Sequence, residues 1–458
     1  MHSHKYFQKI ITYLIISALI YTNTSCTTIA YRPRHLFRTV FNISPKSTPP
    51  GTIQFEKDMS RLTDTILTKG NHAEPLFNGE EVFPKMTELI RNAKEDINFE
   101  VYILKEDQTG RFFMNELVKA KQKNNPNIKF MTDELGNDLH AFRRTKILKK
   151  SGIKRRIFNP LFNWTIFRYN NRNHRKTLSV DGKYALISGL NLGNEYRGHG
   201  FNRFRDNGVY LEGPIVFEIE KSFKRTWKQA GYGWIEKDLP IIGINSVKRG
   251  LEKGLLSLVG LYRPNKLKKR FQENAGDMDI RLVTNSPDWL SSRLLDMYLL
   301  SINSAEKKVY ITSSYFVPPI LIQRALKKAA KRGVDVRLLL QGKTDQNFVR
   351  QLAINKYGRL LDAGVKIYEW PNSILHVKTI VVDGIWSSLG SCNIDGRSFF
   401  LNYEANVAIT NKSFSKTLEN KFLEDIQLSE TISKKEWKKR KWYKKLIGLL
   451  ITPFKGQF

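Results

Sequence analysis

Cysteine is nearly missing from this chain: 458 residues contain two, Cys26 and Cys392. Two cysteines cannot build a disulfide framework or a cysteine-based zinc site. Apart from His2 and His4, the eight histidines are not paired at metal-ligand spacing, so no structural metal is expected, and no cofactor is expected either. Acidic residues are also scarce, with 43 Asp plus Glu against 76 Lys plus Arg, a net charge of +33. That imbalance points to an anionic partner, either nucleic acid or an anionic membrane, and charge alone does not choose between them. Long apolar runs are missing too. The run Ile10 to Tyr21 is broken by Thr12 and Ser17 and falls short of the ~20 apolar residues that span a bilayer.

That short run follows Lys5 and Lys9 and precedes small polar residues and Cys26. This is the layout of a secretory signal or an N-terminal membrane anchor. Cys26 follows the small residue Ser25 and is a candidate lipid-attachment site, although Asn23 stands where an apolar residue is usual. Elsewhere the balance is that of a globular protein, 41% hydrophobic and 26% charged, and long enough for two domains.

From about Glu74 helical and strand patterns alternate. Phe83, Met86, Leu89 and Ile90 share one face of a helix over 82–93. Strands follow at 97–104 and 128–131, helices at 112–122 and 144–150, and strands at 177–180 and 184–187. The second half repeats the order. Helices are expected at 290–305, 321–332 and 348–363, the last two stopped by Gly333 and Gly364. Strands are expected at 309–316, 334–340, 365–370, 377–382 and 387–389. The fold class is therefore α/β, with a parallel or mixed sheet covered by helices, built twice. Tyr102 is matched with Tyr315 across the repeat. The expected divisions are a signal or anchor at 1–30, a linker at 31–74, a first half at 75–245, a basic connection at 246–275, a second half at 276–430, and a basic, aromatic, membrane-binding tail at 431–458.

The chemistry lies in a motif present twice. His174-Arg-Lys176 is followed after four residues by Asp181, and then by Ser188-Gly189-Leu190-Asn191. His376-Val-Lys378 is followed after four residues by Asp383, and then by Gly390-Ser391-Cys392-Asn393. On a strand, residues two apart share a face, so each histidine lies beside its lysine. Asp181-Gly182 and Asp383-Gly384 are turn-like pairs, and each aspartate is expected to buttress its histidine through a ring N–H. Two imidazoles and two lysines suit phosphodiester chemistry. One imidazole attacks phosphorus and the other shuttles the proton, while the lysines, Asn191 and Asn393 stabilise the charge that grows on the phosphoryl oxygens.

These segments resemble the phospholipase D superfamily, and within it the bacterial cardiolipin synthase branch. The likeness extends over roughly 75 to 430 and includes Glu195-Tyr196, Arg205-Asp206, Tyr315-Phe-Val-Pro318, Asn393-Ile-Asp-Gly-Arg397 and Leu401-Asn402-Tyr-Glu404. The resemblance implies two duplicated α/β/α sandwich halves sharing one active site at their interface, so that one monomer suffices. It implies His174 as nucleophile and His376 as acid/base, within a catalytic set of His174, Lys176, Asp181, His376, Lys378 and Asp383. It implies a substrate-binding set of Asn191, Asn393, Ser391, Glu195 and Glu404. The expected reaction passes a phosphatidyl group from phosphatidylglycerol through a phosphohistidine to a second phosphatidylglycerol, at a membrane of the bacterial cell envelope. Discharge to water would instead make the protein a phospholipase D. A nuclease is less in keeping with two motifs in one chain, so no nucleic acid is expected, and intact motifs argue against a dead scaffold. Many members of the branch begin with two transmembrane helices, where this chain has one short apolar run.

Overall fold

A computed structural model describes residues 48–137, 146–160, 170–198, 203–231, 273–287, 292–344 and 346–439. The signal segment, Cys26, nearly all of the basic connection and the tail beyond 439 lie outside the described residues. In the first half the strands are β1 (Thr68–Phe77), β2 (Asp96–Val101), β3 (Asn127–Asp133), β4 (Lys154–Phe158), β5 (Arg172–Asn173), β6 (Thr177–Val180), β7 (Tyr184–Ser188) and β8 (Asn207–Glu212). In the second they are β9 (Met278–Asn285), β10 (Lys308–Ser313), β11 (Phe316–Val317), β12 (Asp335–Lys343), β13 (Lys366–Ile374), β14 (Lys378–Val382), β15 (Trp386–Gly390), β16 (Ile394–Asp395), β17 (Asn402–Thr410) and β18 (Glu430–Thr431).

One mixed sheet of 16 strands runs through both halves. Outward from its middle the first half reads β1-β8-β7-β6-β2-β3-β4 and the second β9-β17-β15-β14-β10-β12-β13. The order is identical, and β1 and β9 pair antiparallel where the halves meet. The duplication therefore folds as two copies about a pseudo-two-fold axis. The strands β2-β3-β4 and β10-β12-β13 are parallel, joined by helical crossovers, while β6-β7-β8 and β14-β15-β17 are antiparallel.

Helices cover both faces. On one, Asn78–Asn92 and Gln108–Asn124 bury Val82, Met86, Ile90, Phe113 and Leu117 against the first half. Arg293–Ser304 and Ile320–Lys331 do the same for the second half through Leu295, Leu299, Ile322 and Leu326. On the other face Ile215–Gly231 and Lys412–Gln427 carry Ile215, Ile219, Phe414 and Leu418 into a core shared by Ile187 and Val209 of one half and Leu389 and Val407 of the other. At roughly 1.5–3 kcal/mol for each fully buried large apolar side chain, this shared core holds the halves in one rigid relation.

Two expected divisions are corrected. The linker at 31–74 contains a helix, Ile53–Thr63, and the start of β1. Phe55 and Met59 are fully buried in the second half's core, with the Phe55 ring against Trp386, and Glu56 pairs with buried Arg281 at 2.5 Å. This short amphipathic helix was hidden by its basic, proline-rich neighbourhood. The tail expected from 431 begins inside the fold. Trp437 donates its indole N–H to the Ile354 carbonyl at 3.1 Å and lies over Gly358, where any side chain would overlap the ring.

Candidate active site

Each histidine is fixed by backbone from the opposite half. β5 pairs with β17, and His174 N–H then donates to the Tyr403 carbonyl at 2.9 Å. At the related position Arg205 N–H donates to Ile374 O at 2.9 Å and His376 N–H donates to Arg205 O at 2.7 Å. The two motifs are therefore stitched across the interface rather than each lying within its own half.

The acids follow the same crossing. His174 Nδ1 lies 3.0 Å from both carboxylate oxygens of Glu404, in the second half. His376 Nδ1 lies 2.7 Å from Asp206 Oδ2, in the first. This corrects the expectation that Asp181 and Asp383 buttress the rings. Asp181 accepts backbone N–H groups of Lys94, Glu95 and Asp96 at 2.7–2.9 Å. Asp383 accepts those of Glu306, Lys307 and Lys308 at 2.8–2.9 Å. Both sit at φ near +50° in Asp-Gly turns at the far end of the motif strands, and they tie each turn to the chain entering β2 or β10. An aspartate five residues beyond the lysine along an extended strand is carried ~16 Å away from it. Asp206 was the residue missed. It stands one residue before β8, as Glu404 stands within β17, and spacing conceals the match, because Asp206 comes 15 residues after Asn191 and Glu404 comes 11 after Asn393.

Behind the acids the halves differ in detail. Ser391 donates its hydroxyl to Glu404 and accepts from Ala405 N–H at 3.1 Å, so it holds the acid. Gly189, its counterpart, is obligatory because a Cβ there would overlap the Asp206 carboxylate. Arg175, between the motif histidine and lysine, donates to the Glu404 carbonyl at 3.2 Å and the Asn285 carbonyl at 2.8 Å, and is buried. Val377 takes its place in the second motif.

The lysines are buried beside the rings, Lys176 with 3% exposure and Lys378 with 1%. Each folds its ammonium onto its own histidine's carbonyl, and Lys378 also donates to Ser314 Oγ at 2.8 Å. The pairing of Ile97 with Val180 and of Val309 with Val382 makes Ser314 the counterpart of Tyr102. This corrects the match of Tyr102 with Tyr315 by one residue. The Tyr102 ring meets His174 edge-on at 5.1 Å and lies 5.3 Å from the Lys176 ammonium. His376 is enclosed by Tyr196 at 5.5 Å and Phe204 at 5.9 Å. His174 is the more open ring, its side chain 12% exposed against 6% for His376.

Burial dominates the electrostatics. It lowers His174 to about 4, with Lys176 and Lys378 pushing the same way and Glu404 opposing. His376 is lowered by burial and Lys378 against the pull of Asp206. Burial and Lys378 bring Lys176 down to about 7, although Glu404 favours its charge. Burial alone would raise Glu404, but His174, Lys176 and the Ser391 hydroxyl keep it below the usual carboxylate range. At neutral pH both rings are thus neutral. Each donates Nδ1–H to a carboxylate, which leaves the Nε2 lone pair exposed. Lys378 acts on His174, Lys176 acts on His376, and Asp206 acts on Lys176, which makes this one electrostatic centre.

The family model of the cardiolipin synthase, phospholipase D-like domain matches residues 86–227 and 298–426, one match in each half and each containing one motif. The chain belongs to this family. It is a phospholipase D-type phosphatidyltransferase. A cardiolipin synthase of Clostridium perfringens strain 13 is 32% identical over 418 residues, covering 90% of this chain and 82% of that one. A cardiolipin synthase of Listeria monocytogenes serotype 4a strain HCC23 is 33% identical over 398 residues, covering 85% and 76%. The fold is also that of phosphatidylserine synthase from Haemophilus influenzae Rd KW20, with a TM-score of 0.63 at 15% identity over 88% of this chain and 97% of that one.

The other expected binding residues in this cardiolipin synthase-family fold divide. Asn191 is committed to the scaffold: its oxygen accepts Ile103 N–H at 3.0 Å and its amide donates to Tyr196 OH at 2.8 Å. It positions the tyrosine that packs on His376. The oxygen of buried Asn393 has no hydrogen-bond partner among the described residues. Glu195 pairs with Lys105 at 2.7 Å, 19% exposed. Asp206, and not Glu195, is the mate of Glu404, because Ser188 pairs with Gly208 as Gly390 pairs with Asn406. Among the described residues no helix is long and apolar enough to cross a membrane.

Proposed function

We propose that the enzyme transfers a phosphatidyl group between phosphatidylglycerol molecules through a phosphohistidine, giving cardiolipin and glycerol. The crossed acid–imidazole pairs carry this reading. Two neutral rings, each held by a carboxylate from the opposite half and each flanked by a buried lysine, suit one phosphodiester lying between them.

His174, the more open ring, attacks phosphorus through Nε2. The P–N bond forms as the P–O bond to glycerol breaks, and His376, which takes up a proton at Nε2 from solvent as the substrate anion binds, gives that proton to the departing oxygen. Entry of the phosphodiester anion offsets the Lys176 and Lys378 charges that disfavour a protonated His376. The lysines stabilise the phosphoryl oxygens, and Glu404 stabilises the positive charge that grows on His174. In the second step a phosphatidylglycerol hydroxyl loses its proton to His376, its oxygen bonds to phosphorus, and His174 is released. Both motifs lie in one chain, so a monomer is sufficient. The +33 charge suits an anionic membrane surface as the partner.

The full chain incubated with phosphatidylglycerol vesicles tests this, with products read by mass spectrometry. Cardiolipin and glycerol are expected, and His174→Ala and His376→Ala each abolish them. Phosphatidic acid as the sole product would replace transfer with hydrolysis. Near-normal turnover by either variant would overturn the assigned roles.

A further inference from the structure

We propose that a cavity beside His376 seats the phosphodiester of the acceptor lipid, a deepening that rests on the transfer reading above. The cavity has a volume of about 440 Å³ and is lined by Lys343 and Arg350 together with Thr344, Asn347 and Ser373. That volume suits a glycerophosphate group, being within the ~300–1,000 Å³ of ordinary ligand sites.

A break in the sheet opens it. β12 and β13 pair regularly to Gln341 opposite Trp370, and the next pair is Lys343 opposite Ile374. Three residues of β13 thus face one of β12. That one is Gly342, where a Cβ would lie 2.5 Å from the Trp370 carbonyl. The bulge spreads the strand ends and turns Ser373 and Ile374 to the gap. In the first half β3 and β4 pair without a shift through Asp133 and Phe158, the counterparts of Gln341 and Trp370.

The cavity shares a wall with the reacting centre. The Phe204 ring lines it and lies 5.9 Å from His376 and 4.8 Å from Tyr196. Ile374 lines it as well, two residues before His376, with its carbonyl held by Arg205 N–H. Arg350, which lines the cavity, pairs its guanidinium with Glu369 at 2.6 Å. A guanidinium, an ammonium and several hydroxyl or amide groups are what a phosphodiester monoanion with neighbouring hydroxyls requires.

The chemistry calls for such a seat. The acceptor hydroxyl sits on a glycerol whose far end is esterified to the acceptor's own phosphate. When that hydroxyl meets His376, a second anion lies three carbons away. Water and free glycerol, the competing acceptors, bring no such anion. A seat for it on the His376 side therefore selects a lipid acceptor over both.

The test uses the full chain in phosphatidylglycerol vesicles with isotope-labelled glycerol in the medium. The phosphohistidine then partitions between a lipid acceptor, giving cardiolipin, and labelled glycerol, giving labelled phosphatidylglycerol. Lys343→Glu is expected to lower the ratio of cardiolipin to labelled phosphatidylglycerol at least ten-fold. Asn347→Asp puts a charge into the same cavity and serves if the first variant does not fold. Loss of both products in proportion, or an unmoved ratio, overturns the proposal while leaving transfer intact. If the substitution changes the response to added inorganic phosphate but not the ratio, the cavity is a free-anion site and the proposal falls. A wild-type protein that forms neither product sinks the transfer reading itself.

Discussion

Replacing Glu404 by glutamine tests the centre most directly. The side chain keeps its size but loses its charge, 3.0 Å from His174 Nδ1 in a fully buried setting. At an effective dielectric of ~20, a unit charge pair at that distance is worth ~5.5 kcal/mol. This is the most the carboxylate can give to the imidazolium character that His174 would acquire in the proposed attack on phosphorus. The glutamine still offers a hydrogen-bond acceptor, so the net loss is about 2–4 kcal/mol, or roughly 30- to 1,000-fold in kcat at ~1.4 kcal/mol per decade. A glutamine turned with its amide toward the ring would draw the proton to Nε2 and remove the attacking lone pair, which moves the loss to the upper end. The pH profile separates this role from a structural one. Glu404 raises the His174 pKa against burial, so its loss moves the acid limb of kcat to still lower pH, below the value of about 4. The assay is cardiolipin formation in vesicles from about pH 2.5 to 8, with thermal melting to confirm folding at each pH. A folded variant with over half of wild-type kcat and an unmoved acid limb refutes the assignment.

Three further outcomes follow from the geometry. Asp181→Ala and Asp383→Ala each strip an acceptor from three backbone N–H groups and cost about 1–3 kcal/mol, a fall of several degrees in melting temperature; lost turnover with unchanged melting would return these aspartates to the chemistry. Gly189→Ala pushes the Asp206 carboxylate off His376 and is expected to lower kcat about 10- to 100-fold, as loss of an orienting hydrogen bond does; wild-type kcat would show that the contact does not matter. Lys176, at about 7, must be charged to receive the phosphodiester, so kcat/KM of the wild type falls as pH rises through about 7. Lys176→Arg, which stays charged, removes that limb, and persistence of the limb in a folded variant would assign it to another group.

Much of the fold was legible because local pattern and global architecture agree. The strands at 177–180 and 184–187 and the second half's helices after Val309 stand where apolar spacing and glycine stops placed them. Four of the elements that were not legible, β1, β8, β9 and β17, make the junction. They carry polar residues such as Asn207, Arg281 and Asn406, and their apolar faces are completed only by the opposite half. The N-terminal helix escaped for the same reason, since Phe55 and Met59 acquire their meaning only against Trp386 and its neighbours.

The candidate site divides along the same line. A histidine and lysine two apart on a strand must share a face, so each motif's core pair could be read directly, as could the duplication that supplies two of them. What binds the back of each imidazole is a question of distance in space, and linear proximity pointed to the wrong carboxylates. The strand carries Asp181 and Asp383 away to cap turns, while Glu404 and Asp206 arrive from the other half. Sequence by itself determined the chemical groups and their number. Tertiary structure alone decided which acid serves which ring, because a hydrogen bond of 3 Å depends on where two strands cross and not on how many residues lie between them.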